Sequence, residues 1–356
     1  MKSIERKRLI IFLLVAYGVT AVMSIFMARG VKQEIDVTSF MNVQMMYPAC
    51  GVMLARLFTR GKDEKLPTAA YVIFLIGTVI MMAVSVVTVV SPASSAQIST
   101  LSAVMIILIS VLFYVLSWSS SKEKRENAGL LRRNIAISAA MIVLFIVLYY
   151  ARFAIGLTIS GIIAGDVKAS WIEWINAIKA AAAPDTNLGV SSWLMVILSL
   201  PVNFFLTFAA FLGEEYGWRY YLQPVMFKKF GAVKGVLLLG VVWGIWHMGA
   251  DFMFYTTTSG PQMFVSQIIT CVSMAIFMGY AYMKTQNIWV PVVIHYLNNN
   301  MILVLAASAD ASVMQNQSVA WSDIPVALIQ SLVFIVFIFT KEYRDRRQAD
   351  VTVAEE

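Results

Sequence analysis

Residues 66–121 contain no charged side chain. A transmembrane helix needs about 20 apolar residues, so this stretch is long enough for two membrane crossings. The segment SPASSAQ at residues 91–97 has the proline and small polar residues that favour a turn between them. Over the whole chain, 60% of residues are hydrophobic and 13% are charged, which no soluble globular domain of 356 residues would show. The sequence therefore predicts an all-α polytopic membrane protein.

Apolar runs predict about ten transmembrane helices, with eight to ten as the expected range. The run at 234–251 is the weakest because its uncharged part extends only from Gly235 to Ala250. The predicted spans are residues 9–28, 38–58, 68–90, 98–118, 134–153, 190–213, 234–251, 262–283, 288–308 and 324–340.

Basic residues are concentrated on one side of this predicted topology. Short cytoplasmic loops are enriched in Lys and Arg. If the N-terminus is cytoplasmic and all ten spans cross, the outer segments contain only five basic residues, namely Arg29, Lys32, Arg152, Lys168 and Lys179. We therefore expect both termini in the cytoplasm and a multi-pass location in the cell membrane, with membrane lipid as a partner.

The net charge of +7 follows from these loop residues. They form no basic face interleaved with aromatic residues, so we expect no nucleic-acid partner. Cys50 and Cys271 both fall in predicted spans, so neither a disulfide framework nor a cysteine-based metal site is expected.

The longest outer segment, residues 156–189, contains apolar residues at helical spacing. The segment SWIEWINAIKAAAA within it predicts a short interfacial helix. This helix is interpreted as a packing cap over the bundle, with a lid over a binding site as the alternative.

Three charged residues follow the predicted span at 190–213. Glu215 and Arg219 are four residues apart, so they share a helix face and are expected to form an ion pair. Glu214 points about 100° away from Glu215 and is left without that partner. An acid of this kind suits general-base chemistry. The alternative is that both acids lie in a hydrated cytoplasmic mouth.

The chain has two histidines, His247 and His295, and both lie in apolar segments. Ionisable residues within a membrane are costly, so they are functional candidates. Trp243 precedes His247 by four residues and stacks over the same helix face. Asp251 follows His247 by four residues, and it either holds the imidazole or lies at the outer end of a short span.

His295 and Asn299 are also four residues apart. An amide N–H beside a histidine can stabilise a developing oxyanion, whereas hydrogen bonding between helices is the structural alternative. Asn298 and Asn300 are expected to project away from this face. A general base, two imidazoles and an amide donor are together the groups that hydrolysis of an amide bond requires.

Three motifs appear in the order of a known family. GEEYGWRYYLQPV at 213–225 resembles the EExxxR motif of the CAAX protease and bacteriocin-processing family of intramembrane endopeptidases. WGIWH at 243–247 is similar to its second motif, an aromatic residue four before histidine, and HYLNN at 295–299 resembles its HxxxN motif. Trp243 departs from the common Phe, and Tyr220 stands where many relatives have Gly.

The resemblance implies catalytic roles for four residues. Glu214 would activate water, His247 and His295 would be its partners, and Asn299 would stabilise the oxyanion. The resemblance covers residues 190–308, which we interpret as the catalytic core. Residues 1–189 would form the N-terminal helices with the exterior segment, and residues 309–356 the last helix and a cytoplasmic tail.

The resemblance also implies structural supporting roles for Glu215, Arg219 and Trp243. No metal or other cofactor is expected, because the uncharged asparagine and the ion pair fit a hydrogen-bonded site. Zinc is the alternative, since older descriptions of the family call its members metal-dependent. Its ligands would be the set Glu214, His247 and His295.

The sequence thus predicts an intramembrane endopeptidase that uses glutamate-activated water on a peptide or membrane-protein substrate, either a prenylated CAAX-type or a bacteriocin-like one. One alternative is a membrane scaffold or bacteriocin-immunity protein without protease activity. Another is a transporter with a proton relay. His295 lies about seven residues, or roughly 10 Å, into a span that starts inside, so a site opening to the cytoplasm is expected. His247 lies deeper, which requires its helix to be kinked or tilted.

Overall fold

The computed structural model describes residues 3–61, 64–92, 95–184, 189–308 and 311–344, and these residues form helices without a β-strand. In chain order the helices are α1 (Ser3–Lys32), α2 (Thr38–Gln44), α3 (Tyr47–Thr59), α4 (Thr68–Val90), α5 (Ser95–Trp118), α6 (Lys122–Asn127), α7 (Ile135–Ala164), α8 (Val167–Ala182), α9 (Ser192–Phe230), α10 (Ala232–Met253), α11 (Gly260–Thr285), α12 (Trp289–Leu305) and α13 (Asp323–Phe339).

Seven of these helices are long and apolar enough to cross a membrane, namely α1, α4, α5, α7, α9, α10 and α11. The helices α12 and α13 are apolar but shorter. Large aliphatic side chains cover the outside of the bundle: Val147 in α7 is 59% exposed and Leu198 in α9 is 61% exposed. Such a surface suits contact with lipid. The prediction of an all-α polytopic membrane protein is confirmed, whereas the cytoplasmic location of the termini stays a prediction.

The predicted span at 38–58 is wrong as a single helix. It consists of the short helices α2 and α3, with a break at Met45 and Met46. Pro48 lies in the first turn of α3, where its missing N–H costs no hydrogen bond. Further into a continuous helix the same proline would remove one. Most of α3 is buried inside the bundle, so this segment packs against other helices and does not form a span facing lipid.

Two helices extend well beyond their predicted bounds. Helix α7 continues to Ala164, so Arg152 lies inside it and not in an outer loop. Helix α9 continues to Phe230, through the segment that was predicted to begin a cytoplasmic loop. At 1.5 Å per residue its 39 residues span about 58 Å, which exceeds the roughly 30 Å hydrocarbon core.

The remaining predictions of local structure are largely met. A helix ends at Val90 and the next begins at Ser95, on either side of the predicted turn, of which residues 93 and 94 lie outside the described ranges. The predicted exterior helix is α8, which is capped by the side chain of Asp166. Its Trp174 donates from Nε1 to the carbonyl of Leu305 over 2.9 Å, which favours the packing interpretation.

Helix α1 supports the predicted core directly. The hydroxyl of Tyr17 donates to the carbonyl of Val242 over 2.6 Å. In return, Trp246 Nε1 in α10 donates to the carbonyl of Ala16 over 2.9 Å. These contacts join the first helix to the segment that carries His247.

Candidate active site

The two glutamates lie in the interior of the bundle. Glu214 is 2% exposed, and Glu215 and Arg219 are fully buried. A Cβ atom on Gly213 would collide with the backbone at Met45, so glycine allows the break between α2 and α3 to pack closely against α9. The sequence alternative of a hydrated cytoplasmic mouth is therefore wrong.

Immediately after Glu215, α9 changes to π-helical geometry from Tyr216 to Leu222. Such segments within α-helices are frequent at functional sites. The predicted ion pair is present across this change, with Arg219 Nε 2.8 Å from Glu215 Oε2.

Glu215 has a second partner that the sequence did not predict. Its Oε1 lies 2.8 Å from His295 Nδ1 in α12. Because a carboxylate oxygen accepts, Nδ1 donates the hydrogen, and Nε2 of the neutral imidazole keeps a lone pair. Glu215 therefore neutralises Arg219 and also orients His295.

Glu214 is held by two indole groups. Its Oε2 accepts a hydrogen bond from Trp243 Nε1 at 2.7 Å and a longer one from Trp218 Nε1 at 3.3 Å. The acid thus has no cation as its immediate partner, as expected, but it is not free of polar contacts. Both indoles donate to Oε2, so Oε1 of Glu214 remains available to accept hydrogen bonds from other groups.

Trp243 contacts three of the candidate residues at once. Besides its bond to Glu214, its ring lies 4.7 Å from the guanidinium carbon of Arg219, which is a cation–π contact. Its backbone carbonyl lies 2.9 Å from His247 Nδ1 and accepts that hydrogen. Trp243 therefore ties α9 to α10 at the site.

The helix α10 is interrupted at His247. The α-helical hydrogen bonding ends at Trp246 and resumes at Met248. Asp251 is fully buried, and none of the described residues forms a hydrogen bond with its carboxyl oxygens. It therefore does not hold the imidazole. It lies near the end of α10 at Met253, as the other alternative expected, but it is buried there and not exposed.

The candidate residues meet at one cavity of about 390 Å³. The polar residues that line it include Glu214, His247, His295, Asn298 and Asn299. Asn298 Nδ2 donates to Asn299 Oδ1 over 3.1 Å, which leaves the Asn299 amide hydrogens available to a ligand. Asn300 lines the same cavity, so the expectation that Asn298 and Asn300 project elsewhere is wrong.

A family comparison covers this part of the chain. Residues 193–301 match the family model described as Type II CAAX prenyl endopeptidase Rce1-like. The segment is less than a third of the chain, and because of this similarity we call it the Rce1-like domain. No curated protein and no solved structure matches the chain.

The match agrees with the resemblance that the three motifs carry to a family of CAAX-type intramembrane proteases. It runs from the start of α9 into α12 and contains every residue predicted for the site. The catalytic roles of those residues are taken up below as a proposal.

Residues from the side opposite to the expected cytoplasmic side line the cavity of the Rce1-like domain. Thr38, Tyr255 and Gln315 line it, and all three belong to segments on the side poor in basic residues. On the basic side, Tyr216 donates to the carbonyl of Ala128 and closes the bundle above the glutamates. The expectation of a cytoplasmic opening rested on His295 lying about seven residues into its span and on Glu214 following the span at 190–213, whereas α9 continues to Phe230.

The side chains of the Rce1-like domain do not fit a zinc site. No group of three or more His, Cys, Asp or Glu residues in the described part of the chain is arranged to hold a metal ion. The suggested set Glu214, His247 and His295 lines the cavity without converging as zinc ligands, which require distances of about 2 Å. No catalytic step is therefore derived through a metal.

Sequence reasoning missed Trp218 in the Rce1-like domain. It follows Glu214 by four residues, a spacing that predicts a contact on one helix face. That signal was available in the sequence. The contact between Glu215 and His295 had no such signal, because these residues are 80 positions apart.

Proposed function

We propose that this chain is an intramembrane endopeptidase in which Glu214 activates water to hydrolyse a peptide bond. The observation that carries the proposal is the position of Glu214 in the cavity. One of its oxygens is fixed by two indoles, and both histidines and Asn299 line the same space. A fixed base beside polar donors is the arrangement that amide hydrolysis requires.

In this mechanism Glu214 takes a proton from water, and the resulting hydroxide attacks the carbonyl carbon of the scissile bond. His247 and His295 each donate through Nδ1 to a protein oxygen, so each Nε2 can accept a hydrogen bond and help to place the water. The amide of Asn299 donates to the oxyanion of the tetrahedral intermediate. Glu214 then gives its proton to the leaving amine, the C–N bond breaks, and the carboxylate is restored.

The walls of the cavity suit a substrate with an apolar part. Ile106, Ile107 and Phe211 line it together with the polar groups. A membrane-associated peptide, either prenylated at its end or bacteriocin-like, would place apolar groups there and its backbone at Glu214. The matched family description, which names a CAAX prenyl endopeptidase, supports the prenylated kind of substrate.

Peptide and protein profiles of membranes from cells with the wild-type chain and with Glu214→Gln test the proposal. Glutamine keeps the size of the side chain and its acceptor oxygen but cannot take the proton. We expect precursors to accumulate and their products to disappear in Glu214→Gln cells. Glu173→Gln, on the exposed helix α8, is the matched control and should leave the profile unchanged. Identical profiles with a folded Glu214→Gln protein would favour a scaffold or immunity role.

A further inference from the structure

A second cavity of about 310 Å³ adjoins the one that contains Glu214. Tyr255, Gln267, Asn298 and Asn299 line both cavities. Asn299, the proposed oxyanion donor, therefore stands on the boundary between them. A substrate bound at Glu214 can extend past Asn299 into this second space.

Arg152 lines the second cavity from the middle of α7. It precedes the helix end at Ala164 by 12 residues, or about 18 Å at helical rise. A charge at such depth in a membrane-spanning helix costs several kcal/mol unless it is paired or hydrated. Its position therefore calls for an anionic partner.

None of the described residues supplies that partner. Arg152 is partly buried, and the two arginines that are buried are both paired, Arg219 with Glu215 and Arg56 with Glu64. No ion pair or hydrogen bond links the Arg152 guanidinium to another described residue, and the residues that line its cavity include no acid.

The lining instead provides amide groups that can donate. Gln267, Gln317 and Gln330 line the cavity together with Arg152. Gly156, one helical turn after Arg152, makes room for one of them, because a Cβ there would collide with the Gln330 amide nitrogen. A guanidinium and neutral amides in one space offer N–H donors without a competing negative charge.

We propose that Arg152 binds a carboxylate of the substrate in the second cavity while the scissile bond lies at Glu214. This inference rests on the proposed peptidase function and names a recognition group for its substrate. The planar guanidinium matches a carboxylate with two parallel hydrogen bonds. The carboxylate is either the C-terminus of the peptide or an acidic side chain close to it.

The second cavity has apolar walls beside Arg152, which favours a peptide over a lipid headgroup. Phe153, Ile302 and Leu305 also line the cavity and offer apolar walls to the side chains of a peptide.

Binding to the full-length Glu214→Gln protein in nanodiscs tests this inference without cleavage. Three farnesylated peptides of one sequence serve as probes: one with a free C-terminal carboxylate, one with a C-terminal amide, and one amidated peptide with Glu in its last position. We expect the free acid or the Glu peptide to bind at least about tenfold more tightly than the plain amide. Which of the two does so identifies the source of the carboxylate.

Adding Arg152→Gln should abolish this preference, and Arg152→Lys, which keeps the charge but loses the planar fork, should retain part of it. Lys168→Gln, on the exposed side of α8, is the control and should retain all of it. If Arg152→Gln does not fold, the comparison with Arg152→Lys decides.

The inference is overturned if the three peptides bind equally, if none binds, or if the preference persists without Arg152. It is also overturned if an Arg152-dependent change follows the replacement of phosphatidylcholine by phosphatidylglycerol and not the peptide end. Cleavage by the wild-type protein separates the two proposals. Cleavage without a carboxylate preference removes only this inference, whereas an Arg152-dependent preference without cleavage removes only the peptidase.

Discussion

Glu215 Oε1 accepts a hydrogen bond from His295 Nδ1 over 2.8 Å, and Oε2 of the same carboxylate lies 2.8 Å from Arg219 Nε. One fully buried acid therefore joins a cation on its own helix to an imidazole on α12. The motif spacing predicted only the first contact. The second gives Glu215 an influence on the site that an ion pair alone would not have.

Replacing Glu215 with Leu, which has neither the charge nor an acceptor oxygen, should lower both stability and cleavage. A buried Arg219 without its anion costs about 3–5 kcal/mol in the free energy of unfolding. His295 also loses the partner that fixes its tautomer, so kcat should fall at least about 100-fold. Thermal unfolding and steady-state kinetics on a substrate peptide measure the two effects.

A double variant separates these two roles of Glu215. Adding Arg219→Met to Glu215→Leu removes the unpaired cation and should restore part of the stability. It should not restore kcat, because His295 still lacks its acceptor. Recovery of cleavage in the double variant would show that Glu215 acts through Arg219 alone.

Trp243→Phe should reduce the cleavage rate without abolishing it. Phenylalanine keeps an aromatic ring beside Arg219 and the carbonyl that accepts from His247, but it removes the 2.7 Å hydrogen bond to Glu214. Since hydrogen bonds to charged groups contribute about 1.5–3 kcal/mol, kcat should fall at least about tenfold. The control is Trp246→Phe, whose indole donates to the carbonyl of Ala16 and not to the site. Equal kinetic losses in both variants would argue against a role for the Trp243 indole.

Asn299→Ala should lower kcat by about 10²–10³-fold, as expected for loss of an oxyanion donor. The neighbouring Asn300 provides a matched comparison. Its amide donates to the carbonyl of Tyr296 over 2.8 Å, within its own helix. Asn300→Ala should therefore keep kcat close to the wild-type value. If the two alanine variants lose activity equally, the assignment of the oxyanion to Asn299 fails.

The Glu64 cluster should make stability depend on pH. Burial alone would raise the pKa of Glu64, but the guanidiniums of Arg56 and Arg8, at 2.6 and 3.0 Å, hold that pKa below its ordinary value. A group with a lowered folded pKa stabilises the protein above its unfolded pKa of about 4.3, and this contribution is lost as the pH falls through the folded pKa.

Glu64→Gln should therefore lower the free energy of unfolding by about 1 kcal/mol at pH 7 and by little below the folded pKa. Unfolding of both proteins over this pH range measures the difference. The control is Glu123→Gln, whose ion pair with Lys65 is exposed, and it should have a small effect throughout. A difference for Glu64→Gln that does not change with pH would contradict the expectation.

The parts of this structure that were predictable from the sequence depend on local helical geometry. The pairing of Glu215 with Arg219 and the helix at α8 follow from residue spacing within a few turns. A kink or tilt at His247 had been expected only for a site that opens to the cytoplasm, so the reason given for it does not hold.

The contacts that were not predicted depend on packing between distant segments. Nothing in the sequence brings His295 to Glu215, or Trp243 in α10 to Glu214 in α9. Arg152 was placed in an outer loop because a charge was taken to end an apolar run, whereas α7 carries it inside the bundle. The break before Pro48 had a local signal, because proline favours the first turn of a new helix.

The burial of Glu214 sets a condition on the shape of the substrate. In an α-helix each backbone carbonyl already accepts a hydrogen bond from the N–H four residues further along, and side chains surround the backbone. A scissile segment must therefore be unwound before it reaches the glutamate. In a membrane each backbone group freed in this way costs several kcal/mol until it finds a new partner. Chain ends and segments weakened by glycine or proline meet this cost most easily, so cleavage should select for local helix instability in addition to side-chain identity.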